Sequence, residues 1–553
     1  MVNVLLLAVA LTGTDIPLYQ LRFSAGQTAP DVWPRTLEAF DRHPGTFDEV
    51  WFSTGVTYPD LAWHRAKAAE QAKAAADLRT RGIAPSLQVQ VTLGHGFGTT
   101  NAADWAAKTW TGFTGVSGEE CPNGSCPRDP RFLDYISEST SCYAAYRPPW
   151  VWIDDDLRVL GHGPASKWLY SGDRRTFGCW CGRCVGDFAK AEGRAWTRET
   201  LAKAIGDGDA ALGDRWERFS FGSLAGVARR IAERFHALSP ETRFGYQHCA
   251  HFNDSQRQVF RALHEATGGQ PVGDRPGGSW YQDHDPYGQL LKAYRVARES
   301  ADLGDMPEIL VTTPEIETYP RVFTSRTANG ILIEALTSLT MGMNALSLYF
   351  MDPRTGETVD FYERRFFGPL AANAALFREF RRHTAGTLPT GLRPDRTYPV
   401  FHPLTMQAGT PEPMQLVTGV PIVYGKSRAL GTIDMDEVNA WAVSSAKLLA
   451  LYAKADALAG GRLPVVPTEP IQGWLMPRTA ADGTLRSVTY LNTTLDESWP
   501  TRLRLRGVAK GTRTAKWWAL GGATRDCEVT YEGADAFVTL PPVAHWSGGW
   551  LQL

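Results

Sequence analysis

The chain has 553 residues, with 57 Lys and Arg against 59 Asp and Glu and a formal net charge of −2 at pH 7. This balance argues against a nucleic acid or an anionic membrane surface as partner. The N-terminal run MVNVLLLAVALTGTDIP is too short to span a membrane and has no Lys or Arg before it. We interpret it as a buried strand or its lead-in and expect a cytoplasmic protein.

Short β-like runs alternate with amphipathic helical stretches over the first 385 residues. The runs cover residues 16–23, 48–54, 86–95, 151–156, 243–249, 271–278, 308–317 and 345–352. Eight strands, each followed by a helix, are typical of a (β/α)8 TIM barrel. A doubly wound open sheet is the alternative, but no glycine-rich phosphate loop follows the first strand. We therefore predict a catalytic barrel over residues 1–385.

The pattern changes beyond residue 386. Residues 386–464 combine short β-like runs with a long helical stretch, which indicates a small α/β domain. Residues 465–553 contain short strands joined by Gly and Asp turns, which favours a C-terminal β-sandwich. The predicted order is therefore a barrel, a small α/β domain and a sandwich.

Three acidic residues, Asp154, Asp155 and Asp156, end the fourth predicted strand. If the strand continues, the first and third acids share one face and the second faces the other way. They could cap the next helix or pair with Arg158, and they would also suit magnesium. As a group at the carboxyl end of a barrel strand, where active sites lie, they favour a functional role.

Two more acids, Glu315 and Glu317, end the seventh strand two residues apart and therefore on the same side. Strands four and seven lie on opposite sides of an eight-stranded barrel, so their carboxylates can face each other. Glycoside hydrolysis requires two carboxyl groups across the scissile bond. One of the two glutamates could instead pair with Arg22 or Arg275, which lie at other strand ends.

Six of the eight cysteines lie between residues 121 and 184. Cys179, Cys181 and Cys184 form C-x-C-x-x-C, and an upstream loop offers Cys126, or alternatively Cys121, as a fourth thiolate. Four thiolates would complete a closed tetrahedral zinc site, which is structural because no coordination position stays open. We expect no organic cofactor.

Further polar and aromatic residues near the predicted rim are candidates for substrate binding. In the loop DRPGGSWYQDHDP, Trp280 and Tyr281 could stack on a sugar ring while Asp283 binds hydroxyl groups. A surface loop with one aromatic anchor is the plainer interpretation. The other candidates at strand ends are Arg22, His95, Asp154, His248 and Arg275.

The acid-ended fourth strand, the C-x-C-x-x-C cluster and the upstream CPRDPRFLDYI together resemble family 42 of the glycoside hydrolases. The resemblance implies a retaining β-galactosidase-like enzyme with a barrel, a structural zinc, a trimerisation domain, a short β domain and hence a homotrimer. That family ends strand four with Asp-Asn-Glu, whose Glu is the acid/base. The alignment places Asp155 at the Asn and Asp156 at the Glu, which suggests a sister family.

We therefore predict an exo-acting retaining glycoside hydrolase that cleaves a terminal β-hexoside, such as a β-galactoside or β-mannoside. Glu315 or Glu317 would be the nucleophile, and Asp156 or Asp155 would protonate the leaving oxygen. The shorter Asp side chain could also widen the carboxyl separation and permit inversion. An inverting glycosidase that uses the Asp cluster, a non-catalytic carbohydrate-binding barrel and a magnesium-dependent lyase or isomerase are the alternatives.

Overall fold

The computed structural model describes residues 16–94, 105–121, 123–158, 175, 177–248, 256–277, 280–283, 286–396, 413–441 and 444–553. Within these ranges, no helix combines the length and the apolar character that crossing a membrane requires.

Eight parallel strands close into a barrel, in which the last strand pairs with the first. The strands are β1 (Tyr19–Arg22), β2 (Glu49–Ser53), β3 (Ala84–Val89), β4 (Trp150–Ile153), β5 (Arg243–His248), β6 (Val272–Pro276), β7 (Ile309–Thr312 and Glu315–Glu317) and β8 (Leu346–Tyr349). The first segment of β7 pairs with β6 and the second pairs with β8. Pro314, which has no N–H to donate, lies between the two segments. The predicted barrel is confirmed.

Helices follow each strand and pack around the barrel. They are α1 (Trp33–Arg42), α2 (Leu61–Arg79), α3 (Pro130–Ser141), α4 (Gly182–Glu192), α5 (Arg198–Gly206), α6 (Ala210–His236), α7 (Arg257–Ala266), α8 (Pro286–Asp302), α9 (Ala328–Thr340), α10 (Val359–Tyr362) and α11 (Gly368–His383), with a π-helical segment at Glu363–Phe367. A two-stranded ladder, Phe113–Thr114 with Glu120–Cys121, lies between β3 and α3.

The side chains of β4 point alternately into the barrel interior and toward the surrounding helices. Val151 and Ile153 belong to the large core between strands and helices. Trp150 and Trp152 face inward, where Trp152 stacks on Trp51 with ring centroids 4.4 Å apart. These indoles fill the interior of the barrel below its carboxyl end, so the barrel interior is a packed core and not a channel.

A ten-stranded sheet follows the barrel. Its strands are β9 (Leu388–Pro394), β10 (Arg428–Ile433), β11 (Val465–Pro467), β12 (Gly473–Thr479), β13 (Leu485–Asn492), β14 (Thr501–Leu505), β15 (Thr514–Ala519), β16 (Thr524–Glu532), β17 (Asp535–Leu540) and β18 (Ser547–Gln552), in the order β10-β9-β12-β13-β18-β15-β16-β17-β14-β11. Three helices among the described residues accompany them, α12 (Pro413–Leu416), α13 (Met435–Trp441) and α14 (Ser445–Leu458).

The sheet folds over itself at β16 and forms the predicted β-sandwich. The first half of β16 pairs with β15 and the second half with β17, so the strand joins two layers. Leu475 and Val488 from one layer share a core with Leu503 and Val538 from the other. The α/β region forms a parallel pair, β9 with β10, that extends this sheet because β9 also pairs with β12.

The close packing around Trp152 generates a first prediction. A Cβ atom on Gly273 would lie 2.4 Å from Cη2 of this indole, which is itself fully buried. We expect Gly273→Ala to reduce the free energy of unfolding by about 1–3 kcal/mol through overpacking. Gly226→Ala on α6 is the matched control, because a Cβ atom there would meet nothing within 4 Å. This variant should raise the free energy of unfolding by about 1 kcal/mol at most, because Ala favours the helix over Gly. Chemical denaturation measures both; equal stabilities would contradict the packing.

Candidate active site at the barrel mouth

The carboxyl ends of the strands, here called the barrel mouth, hold two arginines that bind the same two carboxylates. Glu315 Oε1 lies 3.1 Å from Arg22 Nη1 and 3.0 Å from Arg275 Nη1. Asp154 Oδ1 lies 3.2 Å from Arg275 Nη2 and 3.8 Å from Arg22 Nη2. All four residues are buried. Acids from opposite sides of the barrel, after β4 and in β7, are therefore held together by two guanidinium groups.

Asp154 reaches the mouth because it continues the alternation of β4. Its backbone N–H donates to Val89 O at 3.0 Å, which extends the pairing with β3 by one residue. Its side chain therefore points inward, like that of Trp152. The backbone N–H of Leu157 then donates to Asp154 O and forms a turn that contains Asp155 and Asp156.

The two carboxyl groups have pKa values that are shifted in opposite directions. Burial raises the pKa of Asp154 to about 7, and the neighbouring carboxylate of Asp155 adds to the rise. Burial alone would also raise the pKa of Glu315, but the guanidinium groups of Arg275 and Arg22 hold it well below its usual range. These shifts favour a proton on the first carboxyl group and the ionised form of the second.

Two further groups fix Glu315. The phenol of Tyr281 donates to Glu315 Oε2 at 2.7 Å, and the ammonium of Lys292 donates to Glu315 O. Lys292 also lies 2.8 Å from Glu334 Oε1, and Arg326 pairs with the other oxygen of that carboxylate. The last three side chains are fully buried. Fixed charges behind β7 therefore hold the position of this glutamate.

Glu317 lies beside this pair and has its own arginine. It pairs with Arg321, whose Nη2 also lies 3.2 Å from Asp352 Oδ2. The ring of Tyr349 lies between two guanidinium groups, with its centroid 4.9 Å from Arg22 Cζ and 4.3 Å from Arg321 Cζ. Burial raises the pKa of Glu317 and Arg321 opposes the rise.

The other two acids of the triplet differ in exposure. Asp155 Oδ2 lies 3.8 Å from Arg275 Nη2, and its side chain is 20% exposed. Asp156 Oδ1 lies 3.2 Å from Arg158 Nη2, and its side chain is 0% exposed. Asp155 therefore lies at the open edge of the arginine–carboxylate cluster, whereas Asp156 is enclosed by protein.

Some predicted binding residues face away from the mouth. The ring of His248 packs against Phe260 of α7, and its Nε2 lies 2.9 Å from Asp274 Oδ1. Trp280 is 3% exposed and packs against Gly288, so its ring is not available to stack on a sugar.

Two more predicted binding residues, Asp283 and His95, are not placed at the mouth by the structure. Asp283 accepts from the backbone N–H of Thr327 at 2.7 Å, at the residue that caps α9. His95 lies outside the described residues. Of the predicted substrate-binding residues, the structure gathers Arg22, Asp154, Arg275 and Tyr281 at the mouth.

Sequence reasoning missed three residues of this region: Lys292, Arg321 and Tyr349. Tyr349 is the last residue of β8, so the rule that selected the other strand ends would also have selected it. Arg321 lies four residues beyond Glu317 in a loop, and Lys292 lies in the middle of α8. No local pattern separates these two from ordinary surface cations.

Four buried cysteines cluster as the sequence predicts. The sulfur atoms of Cys126, Cys179, Cys181 and Cys184 all lie within 4.8 Å of one another, a distance suited to binding a metal ion. Cys126 Sγ lies 3.5 Å from Cys181 Sγ and from Cys184 Sγ. Cys121 is buried but not part of the group. The cluster joins the segment between β3 and α3 to the start of α4.

Comparisons with known proteins show the fold. No protein-family model and no curated protein sequence matches this chain. The α-L-fucosidase isoenzyme 2 from Paenibacillus thiaminolyticus is 11% identical, with a TM-score of 0.54 over 97% of this chain and 100% of that one. Gan42B, a GH42 β-galactosidase from G. stearothermophilus, is 10% identical, with a TM-score of 0.56 over 97% and 98%.

A β-galactosidase from Bacillus circulans sp. alkalophilus is 9% identical, with a TM-score of 0.53 over 97% of this chain and 99% of that one. The likeness to these three structures extends over barrel and sandwich alike, at an identity too low to show more than the fold. The chain therefore shares the fold of these glycosidases along nearly its whole length.

Proposed function

We propose that this protein is a glycoside hydrolase that cleaves a terminal β-hexoside, such as a β-galactoside or β-mannoside, with retention of configuration. The observation that carries the proposal is the pair Asp154 and Glu315, two carboxyl groups with opposite pKa shifts at the ends of β4 and β7. Environments that separate two such pKa values provide an acid and an ionised nucleophile in one site. The β-galactosidases of the same fold support the choice of sugar.

In the proposed first step, a carboxylate oxygen of Glu315 attacks the anomeric carbon while the bond to the leaving oxygen breaks. Asp154 gives its proton to that oxygen, and a covalent glycosyl-enzyme forms. In the second step, the carboxylate of Asp154 removes a proton from water, which attacks the same carbon and releases Glu315. Tyr281 and the two arginines keep the nucleophile ionised and oriented.

Asp154 replaces Asp156 as our candidate proton donor. The family alignment favours Asp156, but its side chain is enclosed against Arg158. Asp154 instead shares both arginines with Glu315 and has the raised pKa that a donor needs. Asp155 and Glu317 are the more exposed carboxylates of the mouth and would accept hydrogen bonds from sugar hydroxyl groups.

Nitrophenyl glycosides test the function directly. We expect hydrolysis of a β-galactoside or β-mannoside, and Glu315→Gln should lower kcat on the order of 10⁴-fold because the nucleophile is lost. Glu317→Gln, on the same strand face, is the matched control and should act mainly on KM. No release from any sugar by a folded protein would instead favour a carbohydrate-binding barrel.

The stereochemistry of the first product separates the two hydrolytic mechanisms. NMR of the fresh product should show the β-anomer, and azide should rescue Glu315→Ala by forming an α-glycosyl azide. A first-formed α-anomer would indicate inversion by the Asp cluster and would overturn the assigned roles.

The pKa of Asp154 predicts the pH profile. A general acid acts while protonated, so kcat/KM should fall as the pH rises above about 7. The acidic side should stay flat to well below pH 5, because the pKa of Glu315 lies far below its usual range. Asp154→Asn should remove the fall of kcat/KM at high pH. It should leave the hydrolysis of dinitrophenyl glycosides almost unchanged, because their leaving group needs no proton donor. A basic limb that persists in this variant and vanishes in Asp156→Asn would identify Asp156 as the donor.

We further propose that the four cysteines hold a structural zinc ion. Zn–S bonds of about 2.3 Å in a tetrahedron place sulfur atoms about 3.8 Å apart, close to the spacing of this cluster. Elemental analysis should give one zinc per chain, and Cys126→Ser should lose it and lower the Tm. Cys121→Ser, a buried cysteine outside the cluster, is the control and should retain the metal. Zinc loss in both variants, or in neither, would contradict this ligand set.

A further inference from the structure

A cavity of about 800 Å³ lies at the end of the barrel opposite the mouth. Its lining includes Pro17, Asp48 and Asn344, which precede β1, β2 and β8, together with the end of α11 and Arg478 of β12. We call it the amino-end cavity. Its volume falls within the range of ordinary small-molecule sites.

Four arginines and one carboxylate line this cavity. Arg378 lies 2.9 Å from Asp48 Oδ1, and Arg382 lies 2.7 Å from Glu379 Oε1, so these two cations are compensated. The remaining two, Arg381 and Arg478, form no ion pair within the part of the chain that the structure describes. Two positive charges of the lining therefore have no fixed partner there.

Arg478 is 6% exposed, and each of its nitrogens donates to a neutral acceptor. These acceptors are Thr340 O at 2.6 Å, Thr387 O at 2.6 Å and Thr387 Oγ1 at 3.0 Å. Burial lowers the pKa of Arg478 to about 10, and no neighbouring carboxylate raises it. A buried cation without an anion is costly to the fold unless something neutralises it.

Arg381 leaves donors available on the same cavity. Its Nη1 donates to Ile16 O at 2.6 Å and to Asn344 O at 3.2 Å, and both acceptors are neutral. Its Nε and Nη2 have no acceptor among the described residues. Arginine forks of this kind bind phosphate and carboxylate groups through paired hydrogen bonds.

We propose that the amino-end cavity binds a small molecule through an oxyanion, a phosphate or carboxylate group held by Arg381 and Arg478. Leu339, Met343 and Phe380 line the same space and would contact an apolar part of the ligand. The site is separate from the barrel mouth, and the proposal does not depend on whether the mouth is catalytic.

Inorganic phosphate and acetate, each at constant ionic strength in chloride, are the two probes for this site. We expect saturable broadening of the ³¹P resonance of phosphate, or a saturable rise of the Tm with acetate. Saturation by phosphate alone indicates a phosphate ester as ligand, and saturation by acetate alone indicates a carboxylate. The absence of saturation with both ions would overturn the proposal.

Arg381→Met should weaken binding at least about tenfold, since it removes the free donors. Arg382→Met is the matched control on the same helix, because its charge is already paired with Glu379, and it should bind like the parent. If Arg381→Met does not fold, Arg381→Lys keeps one charge without the fork and should bind more weakly than the parent. Unchanged affinity in the folded Arg381 variant would place the anion elsewhere, for instance on the arginines of the mouth, and would overturn the proposal.

Discussion

The barrel mouth depends on the mutual compensation of buried charges. Arg22 and Arg275 are almost completely removed from water, which would be prohibitively costly for isolated guanidinium groups. Each is tolerated because it contacts the carboxylates of Asp154 and Glu315. The same pairing holds acids from opposite sides of the barrel close together. Removing one charge would leave its partners uncompensated, so the proposed catalytic pair and its arginines have to be considered as one unit.

The surrounding structure holds this unit in place from two sides. Behind β7, the buried group of Lys292, Arg326 and Glu334 is itself charge-balanced by contact and fixes the backbone at Glu315. Beyond β4, the cysteine cluster ties together the segments that follow β3 and β4. Neither feature includes a proposed catalytic residue. Both connect segments at the carboxyl ends of the strands, as expected of an active site that is organised before substrate binds.

The sequence predicted the barrel because alternation and turn composition are local properties of each strand–helix unit. It also predicted the sandwich and the clustering of Cys179, Cys181 and Cys184 with an upstream cysteine, which is Cys126 rather than Cys121. The orientation of individual side chains was less accessible. Gly245 and Gln247 of β5 face inward. Because side chains alternate along a strand, His248 faces outward, toward the helices. Trp280 is buried by Gly288, a contact between loop and helix that no local pattern reveals. Long-range contacts of this kind also explain why Arg321 and Lys292 were missed.

The two ends of the barrel differ in how their arginines are paired, and this difference affects what each end can bind. At the mouth, Arg22, Arg275 and Arg321 are matched by Asp154, Glu315 and Glu317, so none of these three arginines is left without a carboxylate partner. A neutral hexoside, recognised through its hydroxyl groups, suits this environment. At the amino end, the buried Arg478 and the half-buried Arg381 donate only to neutral oxygens. Arginine therefore has two roles in this fold. At the mouth, carboxylates fix it as part of the scaffold. At the amino end, Arg381 and Arg478 form no ion pair among the described residues and are the groups proposed to bind an anion.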